Sequence, residues 1–274
     1  MVMKTAVVLG AGPAGLLATH ALVSARVFGE VRIISRGEKS TMYGAQYLHE
    51  PIPNVPGIPS IVVNQMLNGT GESYARKVYG DLFDPMLPNS SEQYNGKRVA
   101  WDIRTAYDRL WERYGDRIEE CDLSDKRNVY DVMQTLQDAN VSVFNTVPRN
   151  LLCRHEHQFK SMDIWAAGDA PEAGSTVPFS CDNETIVCNG LDNPAWYRVS
   201  RIFGRTTIEW PGDRRPPIGG VTKVSKPIST NCDCWPLVRH YGRYGRWTKG
   251  VLAHTAFFEV RSYVEQMAQQ GILF

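Results

Sequence analysis

The chain has 274 residues, 43% of them hydrophobic, and a formal net charge of +1. That length fits one large domain or two closely joined ones, with apolar side chains enough for a sizeable core. A net charge near zero announces neither a nucleic-acid nor a membrane partner, and no stretch approaches the ~20 apolar residues of a membrane-spanning helix. The apolar N-terminus lacks a signal-peptide layout. The six cysteines (Cys121, Cys153, Cys181, Cys188, Cys232 and Cys234) are scattered, which suggests reduced thiols in the cytoplasm and no disulfide framework.

The first forty residues carry the sharpest signal. Lys4–Leu9 is a short apolar run, GAGPAG follows at Gly10, Ala11, Gly12, Pro13, Ala14 and Gly15, and an apolar helix pattern leads to a second run, Val31–Ser35. Strand, glycine turn, helix and strand in this order predict a dinucleotide-binding unit. Gly10 lets the chain turn off the strand, Gly12 admits a pyrophosphate, and Gly15 packs the helix onto the sheet. The helix N-terminus then presents free N–H groups to phosphate. An acidic residue commonly ends the second strand and binds a ribose; here Ser35 and Arg36 stand there. Arg36 fits the 2′-phosphate of NADP, an adenosine contact, or a solvated side chain.

Thr41–Pro59 contains four prolines and reads as an irregular segment. Its Tyr43, Gly44, Ala45, Gln46, Tyr47, Leu48 and His49 make a loop suited to cover a cofactor ring. Ile61–Leu67 predicts a strand, Ser73–Tyr79 is ambiguous, and Phe83–Asn95 reads as a loop. Val99–Ile118 predicts a helix, with Ile103, Ala106, Tyr107, Leu110, Trp111 and Tyr114 at helical spacing and Gly115 near its end. Val129–Leu136 suggests another helix. Val141–Pro148 alternates and ends in Thr146-Val-Pro148, and Ile164–Gly168 is a short apolar strand followed by Asp169. Both endings put small residues beside a nucleotide.

From Glu184 onward, short β-branched and aromatic segments separated by Gly, Asn and Pro predict an antiparallel sheet. Between Arg198 and Lys249 stand eleven Lys/Arg against Glu209, Asp213 and Asp233, interleaved with aromatic residues. Such a face suits a phosphorylated or nucleotide-linked anionic substrate, and nucleic acid is a possible partner. The chain closes on glycine turns around Gly242, Arg243, Tyr244, Gly245, Trp247, Gly250 and Val251, then an apolar helix with His254 in its first turn. Cys153-x-His155-x-His157 and Cys232-x-Cys234 lack the paired CxxC spacing of structural zinc, and no metal is assigned.

Four pieces together resemble FAD-binding oxidoreductases of the glutathione-reductase-like fold, in the branch of amine oxidases and UDP-galactopyranose mutases. They are GAGPAG, the turn Asn145–Pro148, the stretch Thr185–Trp210, and Gly242–Phe257. The resemblance implies an α/β fold: a three-layer Rossmann-like FAD-binding domain (1–60, 120–180 and 240–274) with an antiparallel-sheet substrate region (61–119 and 181–239). It implies FAD as cofactor, with Tyr197 and Arg198 over the substrate and Arg198 anchoring an anionic group. His49 is then the proton-transfer candidate. The expected activity is oxidation of a C–N bond in an amine or amino-acid-like group, conceivably on a modified thymine in DNA. The alternatives are a non-redox mutase-type flavoenzyme, an NADP-binding reductase, and a flavin- or nucleic-acid-binding module without catalysis.

Overall fold

A computed structural model describes residues 4–44, 46–86, 91–136, 140–167 and 182–270. Two sheets organise them. The first is parallel, in the order β12-β6-β1-β2-β5, and is built from β1 (Thr5–Leu9), β2 (Glu30–Ser35), β5 (Ile118–Glu120), β6 (Val141–Asn145) and β12 (Arg239–His240). Period-two alternation splits β1 between two cores. Ala6 and Val8 face α1 (Pro13–Ala25), α3 (Ile103–Tyr114) and α7 (Thr255–Gln269). Val7 and Leu9 face the other side, against α4 (Lys126–Thr135) and α5 (Arg149–Leu152). Helices on both faces of a parallel sheet make the expected three-layer, Rossmann-like α/β unit.

The second sheet runs β11-β7-β10-β9-β8-β3-β4. Its strands are β3 (Ser60–Asn68), β4 (Gly96–Trp101), β7 (Phe159–Ala167), β8 (Thr185–Asn189), β9 (Arg198–Ile202), β10 (Arg205–Pro211) and β11 (Val221–Thr230). All its pairings are antiparallel except β3 with β8. Two segments lie across the expected domain division. β7 belongs to this second sheet, where it pairs with β10 and β11, and α3 packs on α1 beside the first. The helix α2 (Gly71–Tyr79), ambiguous in sequence, is started by a reciprocal cap between Thr70 and Ser73. The last helix begins at Thr255, leaving Val251 and Leu252 before it and His254 at its N-cap. The Gly242 turn is the five-residue helix α6 (Gly242–Arg246).

Another boundary is corrected. The helix expected from Val99 begins only at Ile103, because Val99, Ala100 and Trp101 are strand residues paired with Val62, Ile61 and Ser60. Asp102 makes the switch. Its carboxylate accepts from the Arg104 N–H at 3.0 Å and the Thr105 hydroxyl at 2.7 Å, which satisfies donors left open at the helix start. Replacing Asp102 with Ala is expected to lower stability by about 1–2 kcal/mol, read as a drop in urea midpoint with an unchanged slope.

Candidate functional site

Three segments distant in sequence meet at the C-terminal ends of β1 and β6. Gly10 has φ +98°, and a Cβ there would stand 2.8 Å from Val147 Cγ1 and 2.9 Å from Thr146 Oγ1. The Thr146 hydroxyl donates to the Leu9 carbonyl at 2.8 Å. A Cβ on Gly15 would overlap the Gly10 carbonyl. Gly12 differs: a Cβ there would meet only Ser40 Oγ, at 3.4 Å. The chain itself tolerates a side chain at Gly12, so the space above it is free for a ligand to approach the backbone. Helix α1 starts there with Pro13 at its first position, no side-chain cap and no acidic residue in its first turn, an arrangement open to an anion. The turn is held from outside by the Tyr107 hydroxyl, which donates to the Ala11 carbonyl at 2.8 Å and accepts from the Ser40 N–H at 3.0 Å.

The C-terminal turn closes the cradle. Gly242, with φ +67°, brings its Cα against Ala14, where a Cβ would stand 2.7 Å from the Ala14 Cβ, and Gly245 lies on the Asn145 carbonyl. The same turn is tied to the second sheet. Arg243 donates to the Pro227 carbonyl, Tyr244 to that of Ser225, and the Trp247 indole to that of Lys160 at 3.0 Å. Gly250 has φ +83° with open space at its Cβ position, and Val251 is partly buried beside it. Pro148 is the N-cap of α5. The expected contacts from both ends of the chain are therefore adjacent.

At the end of β2, Arg36 is exposed and Ser35 pairs with Glu120 of β5. The Glu120 carboxylate reaches to 2.8 Å from where a Gly37 Cβ would be. An acidic group thus lies at the strand end after all, supplied by the neighbouring strand. β5 has only three residues, too few to show a period in the sequence.

The loop after β2 covers a buried charge cluster. Gly44, with φ +80°, leaves room for the Glu209 carboxylate where its own Cβ would be. Glu209 is 1% exposed and forms ion pairs with Arg198 and, at 3.1 Å, with Lys226. Burial opposes the charge on Glu209, but the two cations outweigh it and hold the carboxyl at about 2. Burial pulls Lys226 below the ordinary lysine range. Lys226 also donates to the Tyr197 hydroxyl at 3.4 Å. Arg198 Nε is buried and meets no hydrogen-bond partner among the described residues. Tyr197 is 2% exposed and lies in the core of the second sheet. His49 lies at the surface, stacked between Tyr47 at 4.6 Å and His254 at 5.4 Å between ring centroids. Partial burial, then the neighbouring His254, lowers its pKa. Tyr43 packs against the second-sheet core, its carbonyl accepts from Gln46 at 2.7 Å, and Leu48 bridges to Trp101. Ala45, Gly168, Asp169 and Cys181 lie outside the described residues. Glu209 and Lys226 were missed in sequence because β10 and β11 read only as sheet; a carboxylate inside a basic stretch was the available signal.

Among known proteins, no family model matches the chain and no curated sequence does. Solved structures do match. A reduced UDP-galactopyranose mutase superposes with TM-score 0.57 at 9% identity, over 97% of this chain and 96% of that one. The 2,6-dihydroxypyridine-3-hydroxylase of Arthrobacter nicotinovorans gives 0.57 at 12%, over 99% and 86%. A flavoprotein/dehydrogenase from Cytophaga hutchinsonii gives 0.53 at 12%, over 98% and 79%. At these identities the likeness is one of fold: an α/β, Rossmann-like architecture shared with flavin enzymes.

The Glu209 cluster has a pH signature. A carboxyl lowered on folding stabilises the protein above its ordinary value of 4.5, and that contribution is lost as pH falls toward about 2. Glu209→Gln is expected to cost about 3 kcal/mol at neutral pH, because two enclosed cations lose their partner. It should also flatten the fall of unfolding free energy across that acid window, measured by denaturant titration at successive pH values.

Proposed function

We propose that this protein is an FAD-dependent oxidoreductase acting on a C–N bond of an amine or amino-acid-like substrate that carries an anionic group. The observation that carries the FAD reading is the meeting of GAGPAG, Thr146 and the Gly242–Gly245 turn at one place. The residues fit the group. Gly12 admits the pyrophosphate onto the start of α1, Glu120 beside Ser35 is suited to ribose hydroxyls, and Gly242–Trp247 with Thr146 and Pro148 flank the other end. When bound there, FAD supplies a two-electron acceptor.

The chain's own residues supply charge and a proton site. Arg198, Lys226 and Arg243 are mutually close, and the Glu209 carboxylate pairs with the first two of them. That excess of positive charge favours a negative group nearby, such as a substrate carboxylate. The unpartnered Arg198 Nε is the donor best suited to it. His49, with its pKa lowered, is neutral near pH 7 and suited to accept a proton. The second-half cations are otherwise largely engaged: Lys223 with Asp163, Arg246 with Glu259, Arg239 over Tyr263 and Arg215 over Trp165. This favours a small anionic substrate over a nucleic-acid backbone. The near end-to-end match to the mutase supports a second reading, non-redox chemistry that requires reduced flavin.

Purified protein is expected to carry or take up FAD, with flavin absorption bands; a folded protein that takes up none on reconstitution overturns the reading. Gly12→Ala should keep the wild-type melting temperature of the FAD-free protein and lose FAD, since within the chain the new methyl meets only Ser40 Oγ, at 3.4 Å. Anaerobic bleaching of the flavin by amino-acid-like substrates supports oxidation, whereas turnover only after dithionite reduction, without net oxidation, supports the mutase reading. Arg198→Lys keeps the charge beside Glu209 and removes the guanidinium fork. It should raise KM about tenfold or more for a carboxylate-bearing substrate with kcat little changed.

A further inference from the structure

Of the four crossings the chain makes between its two sheets, two lie side by side away from the cradle. The first runs from β6 through α5 to β7; the second returns from β11 to β12. Cys153 and His157 lie on the first crossing, Cys232 and Cys234 on the second. Their four ligand atoms all lie within 4.8 Å of one another. His157 turns Nδ1 inward, 3.2 Å from Cys153 Sγ and 3.6 Å from Cys234 Sγ. Its outer nitrogen, Nε2, faces the Asp233 carboxylate at 3.4 Å. Among the described residues no other group of three or more His, Cys, Asp or Glu side chains is gathered in this way.

We infer that Cys153, His157, Cys232 and Cys234 form a structural zinc site. Three thiolates and one imidazole are a closed donor set for tetrahedral Zn²⁺. Zinc–sulfur bonds of ~2.3 Å in a tetrahedron set neighbouring sulfurs ~3.8 Å apart, so donors this close enclose one ion with little movement. The surroundings suit a bound metal. Asp233 is placed to orient the imidazole, as carboxylates do behind zinc-bound histidines. The Arg154 N–H donates to Cys234 Sγ at 3.5 Å, a contact that steadies a thiolate. Arg154 stacks over Trp235 at 3.2 Å, and Arg149 donates to the Cys232 carbonyl, so positive groups offset the anionic set. Cys153, Cys232 and Cys234 are free thiols, not bridged. The spacing hid the site: Cys-x3-His on one crossing and Cys-x-Cys on the other are unremarkable apart. His155, equally eligible by sequence, is exposed and offers its carbonyl to the Cys153 thiol at 2.9 Å.

The ion would do a definite job. The crossings are already stitched by the Trp235 indole donating to the Leu152 carbonyl at 2.7 Å and the Gln158 N–H donating to Asn231 Oδ1 at 2.9 Å. Zinc would lock both passages to each other and so hold the second sheet at a fixed angle to the cradle.

The test is metal analysis of the full chain, purified without a polyhistidine tag or chelator from zinc-supplemented cells. Mass spectrometry over the transition metals is expected to give about one zinc per chain. Cys153→Ser and Cys232→Ser should each drop zinc below about a tenth of an equivalent, while His157→Cys keeps it and the control Cys121→Ser leaves it unchanged. Cobalt exchanged into the wild-type protein should show the visible bands and thiolate charge transfer of a tetrahedral sulfur site. If the serine variants fail to fold, the wild-type zinc content and the cobalt spectrum decide alone. Folded wild-type protein that binds neither zinc nor cobalt overturns the inference, as does iron in zinc's place or zinc retained in both serine variants. None of these readings depends on flavin, so failure here leaves the FAD proposal standing.

Discussion

The structure depends on one backbone contact. Gly15, in the first turn of α1, rests directly on the carbonyl of Gly10 at the end of β1. No other residue type fits there, because any Cβ would occupy the carbonyl's place. The contact fixes how α1 lies on the parallel sheet, and with it the first core. Thr146 enters the same small space and donates to Leu9, and Gly242 and Gly245 bring the late turn against Ala14 and Asn145. Each partner approaches because the others carry little or no side chain. Close packing of this kind leaves no slack for substitution, and it leaves a shallow floor of backbone above which only Gly12 is unencumbered.

A second constraint governs the other sheet. Burying a carboxylate is costly unless it is paired, and Glu209 is almost completely buried. Arg198, directly opposite it on β9, and Lys226 on β11 pair with it. Gly44 then folds over the carboxylate. The loop that follows β2 is thereby seated on the charge centre of the second sheet, with Tyr47 and His49 further along it. The same cluster ties the sheet's interior to the turn at Arg243, whose charge acts on Lys226.

What was legible in the sequence was local. GAGPAG, the Asn145–Pro148 turn and the glycine-rich Gly242 segment each carry their geometry within a few residues, and the structure sets them together. The alternating strands after Glu184 were legible for the same reason. What was hidden arises from pairing between distant segments. The helical spacing from Ile103 to Tyr114 ran on backward through Val99, and only the ladder with β3 shows where the strand stops. β7 looked like part of the nucleotide unit because it follows β6, yet its partners are β10 and β11. Glu120 lies in a three-residue strand and takes its meaning from Ser35 across the ladder. The Cys/His quartet is two half-sites separated by some seventy residues. Tyr197, attractive beside Arg198 in sequence, is buried in the core of the second sheet, with its hydroxyl on the Lys226 amine that also pairs with Glu209.

The placement of α6 bears on how the molecule comes into being. Its glycines close a cradle whose other wall was laid down at Gly10–Gly15, more than two hundred residues earlier. β12, which completes the parallel sheet, pairs with β6 almost a hundred residues before it. Contacts of such long separation form late, after the intervening chain has been ordered. On a ribosome, the β1-α1-β2 unit would emerge with its Gly10–Gly15 turn exposed, before the Gly242–Gly245 turn that packs against it is made. The cradle is then completed only once α6 has been made, which joins an early segment of the described chain to a late one.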